Sequence, residues 1–465
     1  MSADPIPELP PARGVFCNRT LNLRGVRAIG YDMDYTLIHY FEEAWERAAF
    51  EHAREVLAAE GWPVDGLDFD PDAFTLGLTF DLDLGNLVKA TRFGYTVRAQ
   101  HGTRLLSFDE LRTTYYGEVI DLGDDRYEFM NTLFELSRAS LWCQLVERHD
   151  HDPLPGISSY AHLYRAIDRA LGTVHRDGAL KQAIVAEPER FVDPDPDLVA
   201  TLLDQRLAGK QLLLVTNSEW HYTQRMMRWT IDPFMPDGST WRELFDVVIV
   251  AADKPRFFSE ASPIFRVVDE DRGLLEPHLG PLVTGAVYHG GNARMVESSL
   301  GHDPSQFLYV GDHLFGDVHV TKDVLRWRTA LIARELEAEV EAAAGFATEA
   351  DNLRVRMAEK VRREREHSRL RMARRRLVVE DRPHDEIDAA VDAAAKAVAR
   401  IDEEIAPLAR AATEQGNPTW GPLMRAGVDK SLFARQVEKY ADVYTSRVSN
   451  FRAETPYGYL RAARG

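Results

Sequence analysis

Two aspartates, Asp32 and Asp34, flank Met33 directly after the apolar run Val26 to Tyr31. Such a run reads as a buried strand. At its carboxyl end, the edge where open α/β sheets hold ligands, both side chains can turn toward one bound phosphate. The pair suits phosphoryl transfer. Asp32 would be the nucleophile, taking the phosphoryl group as an acyl phosphate. Asp34 would protonate the departing alkoxide and later deprotonate the attacking water. A bare D-x-D is most often a solvated turn, but the strand before this one and Thr36 after it favour chemistry.

Three more apolar runs end in complementary groups. Gln211 to Val215 leads to Thr216, whose hydroxyl can donate to a phosphoryl oxygen without adding charge. Asp246 to Ala252 leads to Lys254, a cation able to neutralise the transferring group where preorganised electrostatics contribute most. Phe307 to Val310 leads to Gly311-Asp312-His313-Leu314-Phe315-Gly316-Asp317. Two carboxylates, Asp312 and Asp317, on a Gly-flanked loop suit a hard divalent cation such as Mg²⁺, which takes carboxylate, phosphate and water oxygens. Taken singly, each has an ordinary reading: a strand ending in Thr, a surface lysine, an acidic loop.

The four together resemble the motifs of the haloacid dehalogenase superfamily. More narrowly, the chain resembles the cytosolic purine 5′-nucleotidase family of the IMP-GMP specific type. The resemblance is carried by YDMDYTL (31–37), GLTFDLDLGNLVKA (77–90), NTLFEL (131–136), TNSEWHYT (216–223), KPRFF (254–258), GAVYHGGN (285–292), YVGDHLFGD (309–317) and SLFARQVEKYADVY (431–444). It runs from about residue 14 nearly to the C-terminus. It implies an α/β, doubly wound Rossmann-like core with a large inserted cap domain and a C-terminal helical extension. The implied activity is Mg²⁺-dependent hydrolysis of nucleoside 5′-monophosphates, purine ones by preference, through a phosphoaspartyl intermediate.

The resemblance places Mg²⁺ on Asp32, the main-chain carbonyl of Asp34 and Asp312, with Asp317 orienting bound water. Thr216 and Lys254 would grip the phosphoryl oxygens, helped by the Asn217 amide or the Ser218 hydroxyl. Phe134 would lie against the purine ring and His175 near its edge. An Arg and an Asp that read the base in the family fall here on Asp168 and Gly172, a departure that touches substrate choice and leaves the phosphatase chemistry intact. The family's nucleotide effector positions depart as well, around Asp121 and Asp323, so activation by ATP-like ligands is not expected. The departure at Asp168 and Gly172 motivates an alternative substrate, another phosphomonoester such as a sugar phosphate. A more distant alternative is a non-catalytic interaction protein.

The chain of 465 residues is too long for one small core. Its motifs divide it into a flexible N-terminal arm (1–13), a catalytic core (14–44 with 195–335), a cap (45–194) and a C-terminal helical region packing on the core (336–465). The stretch 45–194 far exceeds a βα connection and leaves from the active-site edge, as a lid that excludes water would. Within it, Gly77 to Ala99 reads as β-hairpin and Asn131 to Val146 as helix. The Arg-rich segment Arg354 to Arg376 carries interleaved Glu359, Glu364 and Glu366, the pattern of a solvated helical hairpin. Net charge is −18, which argues against broad nucleic-acid binding. Cys17 and Cys143 form no disulfide framework. With no signal-peptide pattern and no membrane-length apolar span, a cytoplasmic, membrane-free protein acting on a small-molecule nucleotide is expected. Leu432 to Tyr444 has an amphipathic pattern that fits a homo-oligomer interface or an intramolecular one equally.

Overall fold

The computed structural model describes residues 8–413 and 415–462; the side chains of 174–177 fall outside the description. Seven parallel strands form its centre: β1 (Ala28–Tyr31), β2 (Gln211–Val215), β3 (Val247–Val250), β4 (Ala286–Gly290), β5 (Phe307–Gly311), β6 (Arg328–Ile332) and β7 (Val443–Thr445). Their order across the sheet is β7-β6-β5-β1-β2-β3-β4. Antiparallel segments extend both edges, Phe16–Cys17 beside β7 and Ile264–Asp269 beside β4. β1, β3 and β5 are buried along their whole length, which is why they read as unbroken apolar runs rather than alternating ones.

Chain order runs in opposite directions on the two sides of β1, the topological switch point of a doubly wound sheet. Register then brings the strand ends level: Tyr31 lies beside both Leu214 and Val310. The residues that follow β1, β2 and β5 therefore leave the sheet together. Gly30 has a packing role on the same strand, since a Cβ there would stand 2.8 Å from the Tyr309 ring. Without it, Tyr309 could not lie across β1.

After β1 the chain passes through the short strand His39–Tyr40 into α1 (Glu42–Ala59) and a second, five-stranded antiparallel sheet. That sheet contains the expected hairpin, Thr79–Asp81 paired with Asn86–Ala90 and then Thr96–His101. Buried Asp81 accepts from Arg126 Nε and Nη2, each at 2.8 Å, and from Tyr115 Oη at 2.9 Å, the full set of partners a buried carboxylate needs. Helices α2 (Leu136–His151), α3 (Tyr160–Asp177) and α4 (Ala179–Ala186) follow. The chain re-enters the core through Val192–Asp193, which pairs antiparallel with His39–Tyr40. Beyond β2 lies α5 (Trp220–Ile231). Trp220 and Trp241 pack together in the core, ring centroids 6.2 Å apart.

Three expectations require correction. Pro11–Arg13 is a 3-10 turn, and Arg13 donates to Asn450 Oδ1 and Ser449 Oγ, so the end of the proposed flexible arm is docked; residues 1–7 lie outside the described residues. The region 336–465 is not one helical extension. Ala338–Pro422 forms a compact unit of its own. The remainder, 423–462, belongs with the main body, and Val443–Thr445 supplies a strand of the central sheet. Three residues are too few for a periodic signal, so that strand is silent in the sequence. Finally, the segment carrying Asp317 is not an open loop: Leu314–His319 winds as a π-helical turn.

Within the unit Ala338–Pro422, two long helices, Ala347–Val379 and Asp385–Thr413, pack side by side. Arg363 pairs with Glu359 along one helix, and Lys360 with Asp402 and Arg356 with Glu404 between the two. In the main body, Leu432–Tyr440 spends its apolar face inside its own chain, burying Leu432, Phe433, Val437 and Tyr440. Both cysteines are free. Among the described residues no helix is long and apolar enough to cross a membrane.

Candidate active site

A cavity of about 1120 Å³ opens over the carboxyl ends of β1, β2 and β5. Asp32, Asp34, Thr216, Lys254, Asp312 and Asp317 all line it. The chain turns sharply after Asp34: the N–H groups of Thr36, Leu37 and Ile38 all bond to the Met33 carbonyl, and Tyr35 sits in the left-handed region at φ +51°. Backbone of that kind is costly for a residue with a side chain and is concentrated at functional turns. Asp34, just before this turn, lines the cavity.

Lys254 occupies the centre. Its Nζ lies 2.7 Å from Asp32 Oδ1, 2.9 Å from Asp317 Oδ1 and 3.1 Å from Tyr309 Oη. Burial works against the ammonium, but Asp317 and Asp32 overcome it and hold Lys254 firmly protonated. Asp32 is pushed up to about 7, mainly by burial, with Lys254 opposing and Asp317 and Asp34 adding to the rise. Asp312 is raised well above the usual carboxylate range by burial and by the same two neighbours, Asp32 and Asp317. One lysine does not balance this many carboxylates.

The donor set fits a hard divalent cation. One oxygen each from Asp32, Asp312 and Asp317 lies within 4.8 Å of the others. A cation taking oxygen ligands at about 2.1 Å can bridge that spacing. Asp317 reaches the group because residue 311 is glycine: a Cβ there would sit 2.4 Å from Asp317 Oδ2. Thr132, on the insertion, donates from Oγ1 to Asp312 Oδ2 at 3.0 Å.

The remaining sequence candidates divide. Thr216 is buried with its Oγ1 accepting from the Ser218 N–H at 3.0 Å, which leaves the hydroxyl proton to donate toward the cavity. Asn217 lines the cavity, but its amide is engaged with the main chain of Lys254, Oδ1 accepting at 2.7 Å and Nδ2 donating at 3.1 Å. It holds Lys254 in place. Ser218 Oγ donates to Asp34 Oδ2 at 2.6 Å, so it contacts the proposed acid. Phe134 lines the wall, packed edge-on against Tyr35 and Trp45. His175 belongs to α3, and its side chain lies outside the described residues. Asp168 is ion-paired to Arg138 at 2.7 Å, and Arg138 lines the cavity.

Sequence reasoning missed Lys181, Tyr40, Tyr222 and Thr132. Lys181 Nζ donates to Ser218 Oγ at 3.1 Å. A faint signal existed, since Lys181-Gln182 is a polar pair in the otherwise apolar run Ala179 to Ala186. Tyr222 lies within TNSEWHYT (216–223), and Tyr40 carried no signal. The pair Gly290-Gly291 does adopt positive φ, at 72° and 90°, but neither residue lines this cavity.

Strand order and the four strand-end motifs define a haloacid dehalogenase-type Rossmann-like core. The model of the 5′ nucleotidase family matches residues 15–465, and the chain belongs to that family. It is similar to human 5′-nucleotidase domain-containing protein 2, 31% identical over 341 residues. That match covers 70% of this chain and 64% of the relative, so it spans a little under two thirds of the relative's length. Among solved structures it is similar to an archaeal β-phosphoglucomutase from Pyrococcus sp. Strain ST 04, with 11% identity and a TM-score of 0.32 over 66% of this chain and 87% of that one. It is also similar to the HAD-hydrolase YfnB from Bacillus subtilis bound to magnesium, with 14% identity and a TM-score of 0.21 over 66% and 86%. The strand order itself defines the fold.

Proposed function

We propose that the protein is a Mg²⁺-dependent phosphatase that hydrolyses nucleoside 5′-monophosphates, purine ones by preference, to nucleoside and phosphate. One observation carries the reading: six groups from four strand ends, Asp32, Asp34, Thr216, Lys254, Asp312 and Asp317, line one cavity. Its volume of about 1120 Å³ admits a nucleotide.

Asp32 attacks phosphorus in line with the P–O5′ bond. As that bond breaks, Asp34 gives its proton to O5′, and the phosphoryl group stays on Asp32 as an acyl phosphate. Asp34, now ionised, takes a proton from water whose oxygen attacks the same phosphorus. The acyl phosphate P–O bond breaks, regenerating the Asp32 carboxylate and releasing phosphate. Lys254 and the Thr216 hydroxyl hold the phosphoryl oxygens. Asp32, Asp312 and the Asp34 carbonyl would hold Mg²⁺, with Asp317 beside them; when bound, the ion supplies positive charge against the phosphoryl oxygens. The insertion, rooted at the cavity edge, excludes water from the first step.

Phe134 offers a ring face for a base. Asp168 and Gly172 stand where the base-reading Arg and Asp of the family fall, and that departure favours a second reading in which the leaving group is another phosphomonoester, a sugar phosphate. The deciding experiment is Mg²⁺-dependent phosphate release over a panel of nucleoside monophosphates and sugar phosphates, with Asp32→Asn as control. Preference for IMP or GMP, abolished by the substitution, supports the first reading. Faster turnover of sugar phosphates supports the second, and no release from any ester would sink both.

A further inference from the structure

Asp34 is held from two sides. Tyr40 donates from Oη to Oδ1 at 2.5 Å, and Ser218 donates from Oγ to Oδ2 at 2.6 Å. Tyr40 Oη is in turn 3.0 Å from Tyr222 Oη, and either phenol can be the donor. We propose that Tyr40, braced by Tyr222, is a positioning residue that fixes the carboxyl plane of Asp34 for proton exchange with the leaving group. The inference rests on the phosphatase reading above and adds a residue to it.

An aspartate carboxyl turns freely about its last bond, a broad two-fold rotor. Holding one oxygen still allows the other to swing off the leaving group. Two donors on opposite sides remove that freedom, and their placement is rigid. Tyr40 lies on the two-stranded ladder at the root of the insertion, and its ring is wedged against Trp45 at 4.4 Å and Tyr35 at 5.2 Å. Tyr222 comes from α5, across the cavity wall. Both residues are nearly inaccessible, at 4% and 6% exposure. Lys181 Nζ sits 4.9 Å from the centre of the Tyr222 ring and closes the outer side.

Chemistry also favours a phenol pair here. Asp34 must serve as acid in one step and base in the next, so its partner has to hold it in both states. Each carboxyl oxygen has two lone-pair sites, so Tyr40 can keep donating to Oδ1 while a proton occupies a site that faces the leaving group. Tyr222 donates in turn to the Tyr40 oxygen, whose own proton is spent on Asp34. Burial, reinforced by Asp34, raises both phenols well above their ordinary range and keeps them neutral throughout.

The experiment compares two esters on the wild type, Tyr40→Phe, Tyr222→Phe and Asp34→Asn. One ester is the best alkyl phosphate from the panel, whose alkoxide needs a proton. The other is p-nitrophenyl phosphate, whose phenolate departs without one. Tyr40→Phe is expected to lower kcat/KM, which reports the step in which the leaving group departs, by about 30-fold on the alkyl ester, with a loss at least about tenfold smaller on the aryl ester. Tyr222→Phe should show the same split at smaller amplitude, and it carries the test if Tyr40→Phe does not fold. An equal loss on both esters, or no loss on either, overturns the positioning role while the wild-type activity stands. A wild type that cleaves neither ester overturns this inference together with the phosphatase reading, and an Asp34→Asn variant with no leaving-group dependence removes Asp34 as the acid.

Discussion

Thr132 and Asp312 meet at 3.0 Å, one on the insertion and the other on the core, 180 positions apart in the chain. The hydroxyl donates to a carboxylate that belongs to the proposed metal-binding group, so the position of the insertion and the geometry of that group are physically linked. Partners of metal-ligating carboxylates commonly tune affinity. Thr132→Val should raise the Mg²⁺ concentration for half-maximal activity by roughly tenfold while saturating Mg²⁺ restores most of kcat. A Mg²⁺ titration of initial rates checks this; an unchanged midpoint would remove the link.

Lys254 is the cation between Asp32 and Asp317. Removing one member of a buried charge group leaves its partners uncompensated, at a cost of about 3 kcal/mol. Lys254→Met should therefore lower the melting temperature in EDTA and recover part of the loss in millimolar Mg²⁺, because a divalent cation can replace some of the missing charge. Its activity should fall by about 10²-fold or more even in Mg²⁺. Thermal melts with and without the metal, alongside phosphate release, test both halves.

Gly311→Ala probes the approach of Asp317. The added methyl would overlap Asp317 Oδ2 at 2.4 Å, so one of the two must move. Activity is expected to drop by roughly 10²-fold, with a stability loss of only about 1–3 kcal/mol. Full activity in this variant would show that Asp317 is not needed where the structure places it.

Glu46 gives a pH signature. It is fully buried, its Oε2 accepts from the Ser137 N–H at 2.7 Å in the first turn of α2, and among the described residues Oε1 has no partner. Burial pushes it up to about 8, from an ordinary 4.5, with the Ser137 hydrogen bonds opposing. Between those two values the folded chain holds a proton that the unfolded chain has lost, so stability falls as pH rises through the window. Glu46→Gln removes the titrating group. The wild type should lose more melting temperature between pH 5 and pH 8 than the variant does, a difference of about a few kcal/mol in stability. Parallel slopes for the two proteins would contradict the shift.

The strand ends bearing Asp32, Thr216, Lys254 and Asp312 are legible in the sequence because strands buried on both faces are continuous apolar runs, and the first polar residue after each marks an edge. The hairpin at Thr79 to Ala90 is legible from alternation around Gly85. Side-chain direction is not legible. TNSEWHYT places Asn217 and Ser218 beside Thr216, but whether their polar atoms face substrate, Lys254 or Asp34 depends on neighbouring strands. Tyr40 and Tyr222 are farther still from recognition, since their contact exists only once the root of the insertion packs against α5. Val443–Thr445 shows the same limit at the level of an element: its pairing with β6 is set by register across the sheet and leaves no local pattern.

That last strand has a consequence for how the molecule is made. β6 ends at Ile332 and its neighbour β7 begins at Val443, with the entire unit Ala338–Pro422 between them. Phe16–Cys17, emerging early in synthesis, pairs with β7 and so waits for a partner translated near the end. Until then β6 presents a bare row of amide and carbonyl groups, the kind of edge that captures other strands. Closing it requires a contact between distant parts of the chain, the slowest kind to form. The nascent protein therefore carries an open seam from the end of β6 until β7 emerges, and a single late strand seals it, pairing with β6 on one side and Phe16–Cys17 on the other.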